Sequence, residues 1–454
     1  MRIDFDRGTL LIEGPTSRVA ALPGVEWDPR VGRFRAPARF HAAIRTIASE
    51  QGDIDDRTVA HEPPRPSATP QPTLRPYQQA ALHAWELCDR RAVIVMPTGA
   101  GKSRVGCAAI ARVAERALVL VPTRVLLDQW HETLRTLGIG GVGRWGDGKH
   151  ELAPITVATY EGALRAIDRL GNRFELLVVD EVHHFGVGAR DEILEMTLAS
   201  ARLGLTATMP PPGAARDRLT ELVGPLACEL SVEDLAGRYL AQLERIVVHL
   251  RLHPGEQKTY DAEMAVFRAA LGPLLRAQPG LSWPEIVSIL GRSDAGLRAL
   301  AALRAARRVA RRSEAKLDAL GRVLEQHRDR RVLVFTADND TAYEIARRFL
   351  IMPITCDIAR DERDRVLALF RSGALRALVS SRVLNEGIDV PEAEVAVIVG
   401  ASLGEREHVQ RVGRVLRPAP GKTALVYELV TDGTSERRQA RERARALGSG
   451  WRAR

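Results

Sequence analysis

Eight consecutive residues have the types and spacing of a loop that binds a polyphosphate. They run Met96-Pro-Thr-Gly-Ala-Gly-Lys-Ser103, after a short β-branched apolar run and before an alanine-rich stretch with the pattern of a helix. The two glycines let backbone N–H groups close around phosphate oxygens. Lys102 brings positive charge to the β and γ phosphates, and Ser103 offers a hydroxyl to Mg²⁺. Met96 departs from the strict pattern, which has glycine or alanine there. The stretch predicts an ATP site with the ligands Thr98, Gly99, Ala100, Gly101, Lys102 and Ser103.

A pair of carboxylates ends another apolar run. The stretch Leu176-Leu-Val-Val-Asp-Glu181 has the pattern of a buried strand followed by two acids. We predict that Asp180 holds Mg²⁺ and that Glu181 orients and deprotonates the attacking water. His183 and His184 follow without the His-Glu-x-x-His spacing of a zinc site. We therefore expect them to couple neighbouring parts of the protein rather than to bind a metal.

An Arg/Gln pair stands shortly before the phosphate loop, in Leu74-Arg-Pro-Tyr-Gln-Gln-Ala80. Arg75 and Gln78 could hydrogen-bond the edge of an adenine ring, because both carry side-chain N–H donors and glutamine also carries an acceptor. The alternative is a helix start that needs no ligand. Both readings stay open at this point.

Polar residues also follow two further apolar runs. Arg124 comes after the run that begins at Ala117, and Thr159 and Tyr160 come at the end of the run that begins at Ile155. Open α/β sheets bind ligands beyond the carboxyl ends of their strands. The sequence thus predicts an α/β domain whose ligand edge is formed by these strand ends.

A second strand–helix alternation occupies residues 331–430 and has no phosphate loop. It contains Arg414 and Arg417 within Gln-Arg-Val-Gly-Arg-Val-Leu-Arg, after Gly387-Ile-Asp389. In phosphoryl transfer a cation is often supplied across an interface as an arginine finger. Two tandem domains with a nucleotide between them predict a motor that closes on binding and opens on hydrolysis.

The whole-chain composition is that of an ordinary globular protein of 454 residues with a formal net charge of +9. The basic surplus favours a polyanionic partner, nucleic acid first; the alternative is a solvated arginine-rich surface. Four scattered cysteines argue against a zinc site, an iron–sulfur cluster or a disulfide frame. We find no signal-peptide pattern and no apolar span long enough for a membrane helix, so we expect a cytoplasmic protein.

The order of these patterns predicts six segments. The first segment, residues 1–60, carries arginines interleaved with Trp27 and Phe34. These aromatic residues form either a small core or a stacking surface for nucleic acid. The fourth segment, residues 236–316, is basic and has helical spacing throughout, and its arginines either contact phosphates or lie in solvent. The segments are a small N-terminal unit (1–60), a Pro-rich linker (61–73), a first α/β domain (74–235), a helical insert (236–316), a second α/β domain (317–433) and a basic tail (434–454).

The motif set resembles the core of superfamily 2 helicases over roughly residues 74–430, and most closely the XPB-type DNA helicases. The stretches that carry the resemblance are Leu74–Gln78, Pro97–Ser103, Asp180–His184, Leu203–Thr208, Leu384–Pro391 and Gln410–Arg414. The resemblance implies an α/β fold of two tandem RecA-like domains with a thumb-like helical insert. It also implies that residues 1–60 form a damage-recognition domain, because Val25–Arg30 and Arg35–Ala38 are similar to the small damage-recognition domain of shorter family members.

The resemblance also implies roles for single residues. Gln78, with Arg75, would read adenine, and Asp389, with Gly387, would contact the ribose. Gln410, Arg414 and Arg417 would act at the γ-phosphate. Arg124, Thr159 and Tyr160 would contact the nucleic-acid backbone.

One departure bears on the activity. The family usually follows Thr-Ala-Thr with a run containing Arg-Glu-Asp, which is implicated in strand opening; here Thr208 is followed by Met-Pro-Pro-Pro-Gly. We therefore expect ATP-driven translocation on DNA more securely than strand separation, with 3′ to 5′ polarity implied by the resemblance alone. We favour a monomer.

The sequence offers three weaker alternatives to this function. The main one is the motor subunit of a restriction or defence complex that works with a nuclease partner, although no nuclease motif is found in the sequence. An RNA helicase is disfavoured by Asp-Glu-Val-His and by the N-terminal unit. A DNA-binding scaffold without activity is disfavoured because Lys102, Asp180, Glu181 and Arg414 are intact.

Overall fold

A computed structural model describes residues 1–50, 52–59, 70–113, 116–235, 242–381, 393–400 and 423–446. The described residues fall into two compact units, which divide between Ser231 and Val232. Within the described helices, none is long and apolar enough to cross a membrane.

The first unit begins with a small mixed sheet in the strand order β3-β4-β2-β1-β5. Its core contains Ile3, Leu10, Ile12 and Ile44. The elements are β1 (Arg2–Asp6), β2 (Thr9–Glu13), α1 (Thr16–Val19), β3 (Glu26–Asp28), β4 (Arg33–Pro37), α2 (His41–Glu50) and β5 (Asp55–Asp56).

The small sheet is fixed to the larger domain of the same unit. The side chain of Arg39 forms ion pairs with Glu195 and Glu221, and the Asn172 side-chain amide donates to the Thr58 carbonyl at 2.9 Å. Leu198 of the larger domain packs into the core of the small sheet. The two parts therefore share apolar and polar contacts.

The larger domain of this unit contains an eight-stranded sheet in the order β13-β6-β12-β11-β7-β10-β8-β9. Its strands are parallel except for the β8–β9 hairpin. Strands β7, β10, β11 and β12 are buried along their whole length, as expected for a parallel sheet covered on both faces. The strands are β6 (Arg91–Val95), β7 (Ala117–Val121), β8 (Val142–Gly146), β9 (Lys149–His150), β10 (Ile155–Thr159), β11 (Leu176–Asp180), β12 (Ala201–Thr206) and β13 (Leu226–Glu229).

The helices of this domain connect its strands. They are α3 (Pro76–Leu87), α4 (Lys102–Val113), α5 (Arg124–Thr136), α6 (Tyr160–Leu164), α7 (Ile167–Leu170), α8 (Glu192–Glu195) and α9 (Ala214–Leu222). The predicted order of strand, glycine-rich loop and helix around the phosphate loop is confirmed by β6 and α4.

The second unit contains a six-stranded parallel sheet in the order β14-β19-β18-β15-β17-β16. The prediction of helical spacing throughout residues 236–316 is wrong over Gln242–Leu250, which forms strand β14. That stretch is rich in β-branched residues, and all nine of its residues pair with β19. The strands are β14 (Gln242–Leu250), β15 (Val332–Phe335), β16 (Met352–Ile354), β17 (Ala377–Ser380), β18 (Val395–Ile398) and β19 (Thr423–Thr431).

Three helices form an insert between β14 and the rest of this sheet, and the prediction of helices is confirmed here. Long helices α11 and α13 pack side by side, and the core of the three helices contains Phe267, Ile286, Leu290 and Leu303. The helices of the unit are α10 (Val232–Leu235), α11 (Pro254–Ala277), α12 (Trp283–Leu290), α13 (Asp294–Arg311), α14 (Glu314–Gln326), α15 (Asn339–Phe349), α16 (Arg360–Arg371) and α17 (Glu436–Ala446).

Candidate active site at the carboxyl edge of the first large sheet

The phosphate loop lies between β6 and α4, and its backbone requires glycine at two positions. Gly99 and Gly101 have φ values of +87° and +82°, which side chains other than glycine adopt rarely. A Cβ atom at position 101 would also lie 2.5 Å from the side-chain nitrogen of Gln78. The positive φ values therefore favour glycine at both positions, and the close approach of Gln78 leaves no room for a side chain at position 101.

Lys102 is the first residue of α4 and is 9% exposed. Its Nζ atom donates to the carbonyl of Met96 at 3.3 Å, so the ammonium lies across the loop. The hydroxyl of Thr98 is buried and has no hydrogen-bond partner among the residues that the structure describes. A lysine with a single long hydrogen bond and an unsatisfied hydroxyl fit a site that takes a polyanionic ligand.

Asp180 ends β11 next to this loop and is 4% exposed. Its Oδ2 atom accepts a hydrogen bond from Trp130 Nε1 at 2.8 Å, and its Oδ1 atom accepts from the backbone N–H of Glu181 at 3.1 Å. Burial raises the pKa of Asp180, and the nearby charge of Lys102 and the Trp130 hydrogen bond act in the opposite direction. A bound cation would stabilise the buried carboxylate further.

The backbone turns sharply directly after this strand. Glu181 has φ of +52°, a left-handed conformation that is unfavourable for a residue with a side chain. The hydroxyl of Tyr160 donates to the carbonyl of Asp180 and lies 3.2 Å from the carbonyl of Glu181. We infer that Tyr160 holds this turn and so fixes the direction of the two acids.

His183 connects the acid pair to the neighbouring strand. Its Nδ1 atom lies 2.9 Å from the hydroxyl of Thr206, the last residue of β12, and 3.4 Å from a carboxylate oxygen of Glu181. The position agrees with a coupling role. Among the described residues, no group of three or more His, Cys, Asp or Glu side chains could hold a metal ion.

Gln78 contacts the phosphate loop directly. Its side-chain nitrogen donates to the Ala100 carbonyl at 2.8 Å, and its side-chain oxygen accepts from the backbone N–H of Arg75 at 2.9 Å. The hydroxyl of Tyr77 donates to the same Ala100 carbonyl at 2.8 Å. Helix α3 is therefore tied to the loop by two side chains, while the prediction that Gln78 and Arg75 read adenine stays a prediction.

The three residues predicted to contact nucleic acid have very different surroundings. Arg124 is exposed and its guanidinium lies 2.7 Å from Asp147. Thr159 is 8% exposed and accepts a hydrogen bond from the Gly162 N–H as the cap of α6. Tyr160 is 2% exposed. The structure thus gives Thr159 and Tyr160 internal hydrogen bonds, and the contact of all three residues with nucleic acid stays a prediction.

Sequence reasoning missed Trp130 as a partner of the acid pair. Trp130 lies in α5 and is 1% exposed, and its distance along the chain from the two acids carries no local signal. Five predicted site residues, which include both arginine fingers, lie outside the residues that the structure describes. They are Gly387, Asp389, Gln410, Arg414 and Arg417.

Three known families match parts of the chain. Residues 3–57 match the family described as "Xeroderma pigmentosum group B helicase damage recognition domain". Residues 71–211 match "Type III restriction enzyme, res subunit". Residues 315–419 match "Helicase conserved C-terminal domain". The damage-recognition resemblance predicted for the N-terminal unit is confirmed.

Individual proteins extend this result over most of the chain. The chain is 34% identical over 427 residues to the protein named "DNA 3'-5' translocase XPB2" from Sulfurisphaera tokodaii, and this match covers 93% of the chain and 96% of that protein. It is 32% identical to "Putative DNA 3'-5' helicase Rad25" from Halobacterium salinarum, of which it spans 57%.

The fold also matches a solved structure. The helicase domain of Hef from Pyrococcus furiosus superposes with a TM-score of 0.55 at 19% identity, over 82% of this chain and 98% of that one. At this identity the likeness concerns the fold alone, and it confirms the prediction of RecA-like helicase domains.

Proposed function

We propose, starting from the fact that this chain belongs to the XPB family of superfamily 2 helicases, that it is an ATP-hydrolysing motor that moves along DNA. The observation that carries this proposal is the meeting of Lys102, Asp180 and Glu181 at one edge of one sheet. Asp180 and Glu181 lie 78 and 79 positions after Lys102 along the chain, and only the parallel order of β6, β12 and β11 brings them near it. Groups at such an edge are positioned for phosphoryl transfer.

Each residue has a separate role in hydrolysis. Lys102 neutralises charge on the β and γ phosphates, and the backbone N–H groups between Thr98 and Ser103 surround the phosphate oxygens. Ser103 and Asp180 would hold Mg²⁺, which supplies further neutralisation of the phosphates when it is bound. Glu181 accepts a proton from the attacking water.

The second α/β domain supplies the remaining cations in this proposal. Arg414 and Arg417 reach the γ-phosphate, Gln410 assists them, and Gly387 and Asp389 contact the ribose. Support comes from the motif order and from the match of residues 315–419 to the helicase C-terminal family. Charge supplied from a second domain makes hydrolysis depend on closure, which is how a two-domain motor converts ATP into movement.

His183 offers a path from the chemistry to the sheet. It contacts both the Glu181 carboxylate and Thr206, whose hydroxyl also donates to the Thr208 carbonyl at 2.9 Å. A change in the position of Glu181 during hydrolysis would thus reach the Thr-Ala-Thr segment. That segment leads into Met209 and the proline run, where the family's Arg-Glu-Asp is absent.

The finer assignment is movement with 3′ to 5′ polarity in DNA repair by a monomeric protein. The names of the relatives support the polarity, and the damage-recognition match at residues 3–57 supports repair. The alternative, a duplex translocase that works with a nuclease partner, is supported by the match of residues 71–211 to a restriction-enzyme family. We favour the first because the N-terminal match is specific to the XPB family.

The test is the ATPase rate without polymer and with single-stranded DNA, forked duplex DNA or RNA, at one fixed salt concentration. We expect strong stimulation by DNA and little by RNA. Equal stimulation by RNA, or none by any polymer, would contradict a DNA motor. Displacement of a third strand from duplex DNA without unwinding of the fork would favour the translocase alternative.

A further inference from the structure

A polar cavity lies in the second unit, where the helical insert meets the helix that follows β19. Its volume is about 220 Å³. Side chains from α11, α12, α13 and α17 line it. Its lining includes Trp283, Arg307, Arg311, Glu436 and Gln439.

Arg307 is one of the arginines of the basic stretch noted in the sequence, and it faces this cavity. Its guanidinium carbon lies 5.6 Å from the ring centroid of Trp283, which is 45% exposed. Arg307 is half-buried, yet it forms no hydrogen bond or ion pair with any other described residue. Burial lowers its pKa, and the neighbouring charge of Arg311 lowers it further. A partly desolvated cation with unused N–H donors favours an anionic partner.

Glu436 supplies an unsatisfied acceptor on the opposite helix. Its Oε2 atom lies 2.6 Å from the ammonium of Lys316 and accepts from the Thr431 backbone N–H at 3.0 Å. The residue is 7% exposed. Its Oε1 atom is buried and has no hydrogen-bond partner within the described ranges. A buried carboxylate oxygen without a donor is costly unless a ligand supplies one.

Gln439 lies one helical turn after Glu436 and lines the same cavity. Its side-chain amide takes part in no hydrogen bond with the described residues. The cavity therefore brings together an unused guanidinium, an unused carboxylate oxygen and an unused carboxamide beside an aromatic face. Such a set recognises a flat ring that carries N–H donors on one edge.

The charge and the size of the cavity limit which ligands fit it. Arg311 lies 3.7 Å from Asp338 and the charge of Glu436 is offset by Lys316, so Arg307 leaves the lining positive overall, which disfavours a free cation. An apolar cavity of roughly 150 Å³ holds a benzene molecule. A cavity of about 220 Å³ therefore has room for one nucleobase, with an attached phosphate directed to the arginines.

We propose that this cavity is a nucleotide-binding site distinct from the phosphate loop. The base packs against Trp283, an N–H of the base edge donates to Glu436 Oε1, and the phosphate contacts Arg307 and Arg311. The nucleotide is either free or one unit of a single DNA strand. The proposal does not rest on ATP hydrolysis at the first sheet, so the two can fail separately.

The test is photocrosslinking of the full chain to 5-iodouracil, which reacts with a stacked aromatic side chain, followed by mass spectrometry of the crosslinked peptide. One probe is 5-iodo-2′-deoxyuridine monophosphate, and the other is a single DNA strand that carries one 5-iododeoxyuridine. A saturating non-hydrolysable ATP analogue keeps the phosphate loop occupied. We expect a crosslink at Trp283. Reaction with the mononucleotide identifies a free nucleotide as a ligand, and reaction with the strand alone identifies DNA.

A matched pair of variants tests the contacts. Arg307→Gln removes the guanidinium that lines the cavity, and we expect about tenfold weaker labelling of Trp283. Arg304→Gln removes the same charge from an exposed position one turn earlier on α13 and should label normally. Gln439→Ala, on a different helix, should also weaken labelling and guards against a local folding defect in α13. No crosslink at Trp283 with either probe, or equal loss in Arg304→Gln, would overturn the proposal.

Discussion

The two large sheets bury charged side chains for opposite purposes. In the first sheet, buried Asp180 receives hydrogen bonds from Trp130 and a backbone N–H, and Lys102 acts on it through space. In the second sheet, Arg245 on β14 and Glu428 on β19 form a direct buried ion pair with an Nε–Oε2 distance of 3.0 Å. In the first sheet the negative charge of Asp180 stays available to a ligand. In the second sheet the charges of Arg245 and Glu428 neutralise each other within the protein.

This difference separates a site from a structural link. A buried ion pair can fix the register between two strands, but its charges are neutralised and do not attract a ligand. A buried charge whose main neighbours are neutral hydrogen-bond donors is costly until a ligand of opposite charge arrives. Glu436 combines both, because one oxygen is paired with Lys316 and the other has no partner among the described residues.

The largest expected effect concerns the charges of the first sheet. Lys102→Ala and Glu181→Gln should each lower ATP turnover by about 10³-fold or more, because each removes a group that acts on the reacting phosphate or water. DNA binding, measured by fluorescence anisotropy, should remain largely intact. Lys258→Ala, an exposed lysine of the second unit, is the control. Retained ATP turnover in both site variants would contradict the assignment of Lys102 and Glu181 to the active site. The first sheet would then not differ from the second in holding charges for a ligand.

The next effect concerns the ion pair of the second sheet. Glu428→Ala should lower the free energy of unfolding by about 3–5 kcal/mol, because it leaves Arg245 buried without its partner. The double variant Arg245→Met with Glu428→Leu should recover most of this loss. Urea unfolding followed by circular dichroism measures both.

A surface pair provides the reference for that experiment. Glu325 and Arg328 are both more than 70% exposed, and Glu325→Ala should change the free energy of unfolding by about 1 kcal/mol or less. If Glu428→Ala were equally mild, the link between β14 and β19 would not depend on buried charge.

A smaller effect should follow from Trp130→Phe. Asp180 Oδ2 then loses its indole donor, so turnover should fall about tenfold and the Mg²⁺ concentration for half-maximal rate should rise. Trp145→Phe removes the indole donor of another tryptophan of this domain, which lies on β8 and contacts His150 edge to face, and should have little effect. An unchanged Mg²⁺ dependence in Trp130→Phe would show that Asp180 needs no such support.

The smallest effect is expected for Tyr160→Phe. Loss of the hydroxyl removes one neutral hydrogen bond from the Asp180–Glu181 turn, which corresponds to about 1 kcal/mol and about a fivefold lower rate. DNA affinity should not change, because Tyr160 is buried. A loss of DNA affinity at unchanged ATPase rate would instead support the DNA contact predicted from the sequence for Tyr160.

Much of the candidate site could be predicted because its signals are local. The phosphate loop and the acid pair are short stretches whose residue types and spacing are set by phosphate and water chemistry. The burial of β7 and β11 likewise follows from continuous apolar runs. These features therefore depend little on where the rest of the chain goes.

Other features were decided by tertiary structure alone. Residues 242–250 became a strand because β19, which lies about 180 positions later, offers a parallel partner along nine residues. Trp130 donates a hydrogen bond to Asp180 because β7, which precedes the helix of Trp130, is a neighbour of β11 in the sheet. Tyr160 faces inward for the same reason, since its hydroxyl meets the turn after β11. The sequence by itself determined which groups can do the chemistry, and the packing of distant strands determined which groups hold them, because hydrogen bonds across a sheet depend on strand order and leave no local pattern.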